Sequence, residues 1–192
     1  YDVTTSALPE ETLRVFSDMQ VIPTGLKHGT VTVLCEGEPV EITTYRVDGE
    51  YTDGRHPDKV SFTRSLREDL SRRDFTINGI AYSPVRGLVD EFGGAEDIRR
   101  GIIRCIGEPD ERFGEDALRI MRALRFSSVL GFEIDEATAD SINKNRGALE
   151  QVSVERIFSE LHKLLCGQQA ARVLREYPQV ICQIIPELKP CY

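Results

Sequence analysis

The sequence predicts an α+β fold, with a mixed sheet in residues 1–108 and only helices in residues 109–192. The first part contains short β-like runs that are separated by turn residues and short helical patterns. After Pro109 the apolar residues recur only at helical spacing. Because such a change separates an α+β arrangement from an all-helical one, we expect a domain boundary near residue 108.

In the first part, Pro9 begins a helix over residues 9–19. Strands over residues 30–34 and 40–47 form a hairpin that turns at Glu36-Gly37. We expect, in order, a mobile polar loop at 48–58, a strand at 60–62, a helical turn at 65–72, a buried segment at 77–82, a helix at 95–100 and a strand at 102–106. The glycines of Phe92-Gly93-Gly94 favour a hinge.

In the second part we expect helices over residues 110–131, 135–147, 153–166 and 168–176, with a fifth starting near Val180. Gly131 and Gly147 are candidates for helix C-caps, and Ser153 is a candidate N-cap. Within residues 115–126, four apolar side chains share one helical face and are expected in the core: Ala117, Ile120, Met121 and Leu124.

The composition is that of a globular protein, with 40% hydrophobic and 29% charged residues in 192. No apolar run is long enough to cross a bilayer, and no signal peptide is visible, so we expect a cytoplasmic protein without a membrane partner. The five cysteines include no CxxC pair, which favours free thiols in a reducing compartment. The net charge of −8 is unlike that of a dedicated nucleic-acid binder, so any RNA contact must be local.

Two acidic residues of the predicted sheet are candidate metal ligands. Asp2 precedes a short β-like run, and Glu41 lies on a neighbouring predicted strand. Phosphoryl transfer with divalent metals needs carboxylates that converge from different strands. The alternative is that both are solvated surface acids.

The segment from Arg72 to Asn78 combines polar and apolar residues in alternation. Its two arginines offer forked donors to a triphosphate. Asp74 and Asn78 are able to hydrogen-bond ribose hydroxyls, while Phe75 and Ile77 anchor the apolar side. The alternative is a surface turn with a local salt bridge.

The predicted helix at 115–126 carries a possible base-reading pair. Asp116 offers only acceptors and Arg119 only donors, and three residues apart they can point into one pocket. Cytosine and adenine each present an amine donor beside a ring-nitrogen acceptor, whereas uracil and guanine present a carbonyl oxygen in place of that amine. The alternative is an ion pair on a solvated face, worth ~0.3 kcal/mol. The later helix at 153–166 is expected to be structural, with Arg156 and Glu160 as i,i+4 partners.

Six ordered motifs together resemble the class II CCA-adding enzymes, which are tRNA nucleotidyltransferases, and the related bacterial poly(A) polymerases. The motifs are Tyr-Asp-Val-Thr-Thr-Ser-Ala, Gly-Leu-Lys-His-Gly-Thr-Val, Glu-Ile-Thr-Thr-Tyr-Arg, Arg-Arg-Asp-Phe-Thr-Ile-Asn, Leu-Val-Asp-Glu-Phe-Gly-Gly and Glu-Asp-Ala-Leu-Arg-Ile-Met-Arg-Ala-Leu-Arg-Phe. The resemblance implies a nucleotidyltransferase (polymerase beta-like) head over residues 1–108 and a helical neck/body over residues 109–192.

The resemblance also implies roles for individual residues. Asp2 and Glu41 match catalytic acids that bind Mg²⁺, and residues 90–94 match a flexible motif between head and neck. The nucleotide-binding positions implied are Arg73, Asp74 and Asn78 for sugar and phosphates, Asp116 and Arg119 for the base, and Arg122 and Arg125 as further site arginines. Template support is implied for Glu115, Arg156 and Glu160.

The implied reaction is attack of the tRNA 3′ hydroxyl on the α-phosphorus of CTP or ATP, with release of pyrophosphate. Three departures from the family pattern are evident. The first acid of the Asp-x-Asp pair would sit just before Tyr1 and is absent, as is the Gly-Gly phosphate-binding segment that the family carries upstream, and Asn78-Gly79 replaces Asn-Ala. Three alternatives stay open, namely a poly(A) polymerase, an enzyme that adds only CC or only A, and a non-catalytic nucleotide- or RNA-binding fragment. The sequence does not set the oligomeric state.

Overall fold

The computed structural model describes residues 2–49 and 60–191. Of the loop predicted at 48–58, residues 50–58 lie outside the described residues. The described chain forms two compact units, residues 2–49 with 60–72 and residues 73–191. The change from mixed to helical structure predicted at residue 108 falls inside the second unit, and as a domain boundary it stays a prediction. In the described part of the chain, no helix combines the length and the apolar character needed to cross a membrane.

The first unit is built on a four-stranded mixed sheet in the order β1-β4-β3-β2. Its elements are β1 Asp2–Thr5, α1 Pro9–Val15, β2 Val21–Gly25, β3 Thr30–Cys35, β4 Glu38–Thr44, β5 Arg46–Asp48, β6 Val60–Phe62 and α2 Leu66–Ser71. Strand β1 runs parallel to β4, and the other neighbours in the sheet are antiparallel. The core of the sheet consists of Val31, Val33 and Ile42, with Leu13 and Phe16 of the first helical segment packed against it.

The hairpin between β3 and β4 confirms the predicted turn. Glu36 and Gly37 both have positive φ, 52° and 88°, as a two-residue turn with the twist of the strands requires. The strand predicted over residues 40–47 is interrupted, because β4 ends at Thr44 and β5 begins at Arg46. Strand β2 was not predicted, since Pro23 breaks its alternation and is tolerated only at the edge of a sheet.

The second unit contains short strand pairs and all the longer helices of the described residues. Its elements are β7 Ile80–Ser83, β8 Gly87–Asp90, α3 Gly94–Arg100, β9 Ile102–Ile103, α4 Pro109–Glu115, α5 Leu118–Leu130, β10 Glu133–Ile134, α6 Glu136–Asn145, α7 Val154–Leu165, α8 Ala170–Glu176 and α9 Pro178–Ile184. Turns of 3-10 helix lie at Thr76–Asn78, Arg146–Gln151 and Pro186–Cys191.

The core of the second unit is centred on α5, and it confirms the predicted apolar face. Ala117 is 7% exposed, and Ile120, Met121 and Leu124 are fully buried. Gly131 ends α5 in the left-handed conformation, as predicted. Ser153 occupies the N-cap position of α7, but its side chain makes no capping hydrogen bond. The C-cap predicted at Gly147 is wrong, because α6 ends two residues earlier and a 3-10 turn continues through Gly147.

The end of α7 and the residues just after it pack closely against Ser128 of α5. The Ser128 hydroxyl donates to the Leu164 carbonyl at 2.7 Å. A Cβ added at Gly167 would lie 2.2 Å from Ser128 Oγ and 2.7 Å from the Ser128 carbonyl. The absence of a side chain at Gly167 therefore permits this approach.

We expect Gly167→Ala to lower the free energy of unfolding by about 1–3 kcal/mol, because the added methyl overlaps backbone atoms that have no room to move. Chemical denaturation measures the change. Gly114→Ala is the matched control, since no atom lies within 4 Å of its added Cβ and alanine favours the interior of α4. Equal stability of the Gly167→Ala and parent proteins would contradict the packing argument.

Candidate nucleotide site

The two predicted metal ligands lie on adjacent parallel strands. Asp2 of β1 is the register partner of Glu41 of β4, so their side chains leave the same face of the sheet. Both residues are exposed. Their carboxylate oxygens are the ligands that Mg²⁺ prefers, so this pair fits a magnesium site. Within residues 2–49 and 60–191, no three His, Cys, Asp or Glu side chains form a larger metal-binding group.

Arg72 and Arg73 were predicted to act together on a triphosphate, but their side chains have different partners. Arg72 forms an ion pair with Asp69 at 2.8 Å, and Asp69 is fully buried in the first unit. The same carboxylate accepts from the Arg46 backbone N–H at 3.2 Å. Arg72 is thus held inside the first unit, whereas Arg73 donates to the Asn78 carbonyl at 3.4 Å in the second.

The 3-10 turn Thr76–Asn78, which we call the sugar turn after the role predicted for Asn78, is preceded by the other predicted sugar-binding residue, Asp74. Asp74 is 6% exposed. Its Oδ1 accepts from the Phe75 backbone N–H at 2.8 Å and from the Asn78 amide at 2.9 Å. Its Oδ2 accepts from Arg122 Nε at 2.6 Å, and these contacts link the sugar turn to α5.

The predicted apolar anchor of this segment is confirmed. Phe75 is fully buried and meets Phe126 of α5 edge-to-face, with the ring centroids 5.9 Å apart. Ile77 packs against the same core. The polar residues of the segment are therefore fixed from the apolar side.

The continuous helix predicted over residues 110–131 is wrong at Asp116. Helix α4 ends at Glu115, and Asp116 has extended backbone angles of φ −150° and ψ 103°. Its Oδ1 accepts from the Leu118 backbone N–H at 3.1 Å at the start of α5. An Asp side chain that binds nearby backbone competes with helix formation, and the shared helical face predicted for Asp116 and Arg119 is therefore absent.

The base-reading candidates are each held by a neighbouring charge. Arg156 of α7 forms an ion pair with Asp116 at 2.7 Å. Arg119 forms an ion pair with Glu115 at 2.6 Å, and Glu115 also pairs with Arg112 at 2.7 Å. The Asp116 and Arg119 side chains are only 16% and 11% exposed, so the alternative of a solvated face is wrong.

The pairing predicted between Arg156 and Glu160 is also wrong. Helix α7 directs Arg156 to Asp116, and it directs Glu160 to Arg125 of α5. Glu160 is buried, and Lys163 lies 3.7 Å from its other oxygen. The Arg125 guanidinium also stacks on Phe126 at 3.7 Å from the ring centroid. Sequence spacing thus identified Arg156 and Glu160 as charged partners but paired them with each other, whereas their partners are Asp116 and Arg125.

Asp90 closes the β8–α3 connection, in the segment predicted to be a hinge. Its carboxylate accepts from the backbone N–H groups of Gly94 at 2.8 Å and Ala95 at 2.9 Å. Burial raises the pKa of Asp90, but hydrogen bonds from Ala95, Gly94 and the two preceding N–H groups outweigh it and hold the pKa below 3.8. The movement implied for this segment stays a prediction.

The chain combines a mixed sheet that carries a carboxylate pair with helices that carry candidate base and sugar contacts, which is the fold class of a nucleotidyltransferase head and helical neck. Comparison with known proteins defines the family. The chain belongs to the family described as the poly A polymerase head domain, which matches residues 1–104. A second family, described as the probable RNA and SrmB-binding site of polymerase A, matches residues 131–190.

The chain is similar to bacterial proteins named CCA-adding enzyme. It is 51% identical to that of Geobacillus stearothermophilus over 173 residues, which cover 90% of this chain and 42% of the relative. It is 48% identical to that of Ligilactobacillus salivarius, with 92% of this chain and 43% of the relative covered. The chain thus spans about two fifths of the length of these relatives.

Solved structures of CCA-adding enzymes share the fold. The Bacillus stearothermophilus enzyme in complex with CTP matches with a TM-score of 0.81 and 48% identity over 91% of this chain and 42% of that one. The Thermotoga maritima enzyme complexed with tRNA_CCA matches with a TM-score of 0.77 and 26% identity over 97% of this chain and 43% of that one. The predicted fold class is confirmed.

We expect Asp90→Ala to lower the free energy of unfolding by about 1 kcal/mol near pH 7, because α3 loses the acceptor at its first turn. The pKa of Asp90 is lower in the folded state, so its stabilisation is present above pH 3.8 and is lost as pH falls through the folded pKa. Chemical denaturation at about pH 7 and about pH 2.5, roughly three units above and one unit below 3.8, measures the free energies of unfolding. The values for parent and variant should be closer at the lower pH.

Asp140→Ala is the control for this experiment. Asp140 is exposed on α6, and a surface substitution of this kind changes stability by less than about 0.5 kcal/mol. An Asp90→Ala protein whose deficit is the same at both ends of the pH range would contradict the assignment of the cap to the ionised carboxylate.

Proposed function

We propose that the chain provides the nucleotide-adding part of a CCA-adding enzyme, which adds C and A to the 3′ end of tRNA from CTP and ATP. The observation that carries the proposal is that Asp116 is held by an ion pair with Arg156 and Arg119 by an ion pair with Glu115. Two complementary hydrogen-bonding groups are fixed before a nucleotide arrives, which favours selection by geometry. The 51% identity to a CCA-adding enzyme supports the same activity.

The chemistry of these two side chains fits the two bases. Asp116 has two carboxylate oxygens with about four acceptor sites, and it accepts from Leu118 and Arg156. A remaining acceptor site would take the amine of cytosine or adenine, and Arg119 would donate to the adjacent ring nitrogen. The carbonyl of uracil or guanine would meet the carboxylate as a second acceptor and be rejected.

We assign the rest of the nucleotide to the sugar turn and the arginines of α5. Asp74 and Asn78 hydrogen-bond the ribose hydroxyls, and Arg73 contacts the triphosphate. Arg122 and Arg125 are further arginines of the site. Because Arg122 already binds the Asp74 carboxylate, we propose that it contributes to nucleotide binding chiefly by fixing Asp74.

Asp2 and Glu41 would hold Mg²⁺, which supplies a lowered pKa at the attacking hydroxyl and charge neutralisation at the triphosphate when bound. The tRNA 3′ hydroxyl attacks the α-phosphorus in line and gives up its proton to water, the bond to the bridging oxygen breaks, and pyrophosphate leaves with its charge. No covalent enzyme intermediate is needed. An enzyme acting on tRNA would work in the cytoplasm, which is the location that we propose.

A poly(A) polymerase is the second candidate, because the family that matches residues 1–104 is described by that activity. The two activities differ in their need for CTP. The full-length protein encoded by the gene, given tRNA that lacks CCA, distinguishes them. A CCA-adding enzyme adds CMP from CTP alone and completes CCA when ATP is also present, whereas a poly(A) polymerase extends the RNA with ATP alone.

In that assay we expect Asp2→Ala to abolish CMP incorporation, because the metal-binding pair loses one of its acids. Nucleotide binding by titration calorimetry should persist, since the base and sugar contacts are assigned to other residues. Glu38→Ala is the control. Glu38 is an acid of the same strand, β4, but it lies at the start of that strand, where it pairs with Cys35 of β3. Robust incorporation by the Asp2→Ala protein would overturn the metal assignment.

We expect Asp116→Ala to relax discrimination against UTP by roughly 10- to 100-fold, the effect of losing a hydrogen bond to a charged group. The ratio of kcat/KM for CTP to that for UTP measures the change. Glu111→Ala is the control, because Glu111 is an exposed acid on the neighbouring helix α4. The base-reading assignment fails if the Asp116→Ala protein excludes UTP as well as the parent does.

A further inference from the structure

Helix α3 holds the sugar turn at Thr76 in two ways. A Cβ added at Gly94 would lie 2.1 Å from the Thr76 carbonyl oxygen, so the start of α3 rests directly on the backbone of the turn. One helical turn further on, Asp97 Oδ2 accepts from the Thr76 hydroxyl at 2.7 Å. Thr76 is 2% exposed and Asp97 is 5% exposed, so neither side chain is accessible to a nucleotide.

Arg104 balances the buried charge of Asp97. Its Nε donates to Asp97 Oδ2 at 3.1 Å, and its Nη1 pairs with Asp135 just before α6. The Arg104 carbonyl also accepts from the Thr76 backbone N–H at 2.9 Å. The backbone of Arg104 thus binds Thr76 directly, and its side chain is linked to Thr76 through Asp97.

These contacts fix the turn that carries Asn78 and that follows Asp74. A buried carboxylate is tolerated only where a cation and hydrogen-bond donors satisfy it. Asp97 Oδ2 receives one donor from Arg104 and one from Thr76, so the position of the Thr76 hydroxyl is set by a charged and buried acceptor. Asp74 precedes Thr76 by two residues, and Asn78 follows it by two.

We propose that Asp97 is a positioning residue that acts through the Thr76 hydroxyl to set the selection of ribose over deoxyribose. The inference rests on the proposed function, in which Asp74 and Asn78 bind the ribose hydroxyls. A site built to hydrogen-bond a substrate hydroxyl rejects the analogue without it, because its buried polar groups are left unpaired. Rejection of the deoxyribonucleotide depends on placing the sugar-binding side chains to within about 0.5 Å. The contacts of Gly94 and Asp97 of α3 with Thr76 provide that placement.

The test is the ratio of kcat/KM for CTP to that for 2′-deoxy-CTP, measured in the full-length protein with tRNA that lacks CCA. Thr76→Val keeps the shape of the side chain and removes the donor, and it should lower this ratio by about 10-fold. Thr76→Ser restores the hydroxyl and should restore the ratio. Discrimination between CTP and UTP should be unchanged in both, because Asp116 and Arg119 lie outside the sugar turn.

A Thr76→Val protein that keeps the parental ratio, or that loses activity equally with both nucleotides, would overturn the inference. Asn78→Ala separates this failure from a failure of the proposed function. If Asn78→Ala also keeps the parental ratio, the sugar role itself is wrong; if it lowers the ratio while Thr76→Val does not, only the role of Asp97 is wrong. Asp97→Asn carries the same comparison if Thr76→Val does not fold, and a parental ratio in Asp97→Asn would likewise overturn the inference.

Discussion

The buried carboxylate of Asp74 joins the sugar turn to helix α5, and the arrangement of the candidate site in the second unit depends on it. Its two oxygens accept from Arg122, from Asn78 and from the Phe75 backbone N–H. A buried charge is stable only when its hydrogen-bonding capacity is used in this way. The interaction explains why a short 3-10 turn, which is a weak structure by itself, keeps a defined position against a long helix.

The same principle extends along α4 and α5, where each arginine of the candidate site is paired with an acid from another segment or turn. Glu115 holds Arg119, Asp74 holds Arg122 and Glu160 holds Arg125; on α7 the roles reverse, and Arg156 holds Asp116. Groups that are fixed in advance lose less entropy when a ligand binds. The acidic net charge of −8 is therefore compatible with a nucleotide site, because the acids around α5 act on the arginines and orient them.

The sequence predicted elements whose signals are local and missed those whose causes are distant. The apolar face of α5 followed from helical spacing, and the hairpin followed from Glu36-Gly37. The break at Asp116 has a local part, the hydrogen bond from the Leu118 backbone N–H, and a distant part, the ion pair with Arg156, which is 40 residues away in the sequence and gave no signal at Asp116. Asp97 and Arg104 gave no sequence signal, since an acid and an arginine at that spacing are typical of a solvated surface.

The adjacent arginines 72 and 73 show how the candidate chemistry divides along the chain. Arg72 pairs with buried Asp69 in the unit that carries Asp2 and Glu41, whereas Arg73 contacts Asn78 in the unit that carries the sugar turn and α5. The first unit presents carboxylates suited to a metal, and the second presents groups suited to recognising a base and a sugar. Arg72 and Arg73 are adjacent in one motif, yet Arg72 pairs with an acid of the first unit and Arg73 donates to a carbonyl of the second, so a single short segment takes part in the internal contacts of both units.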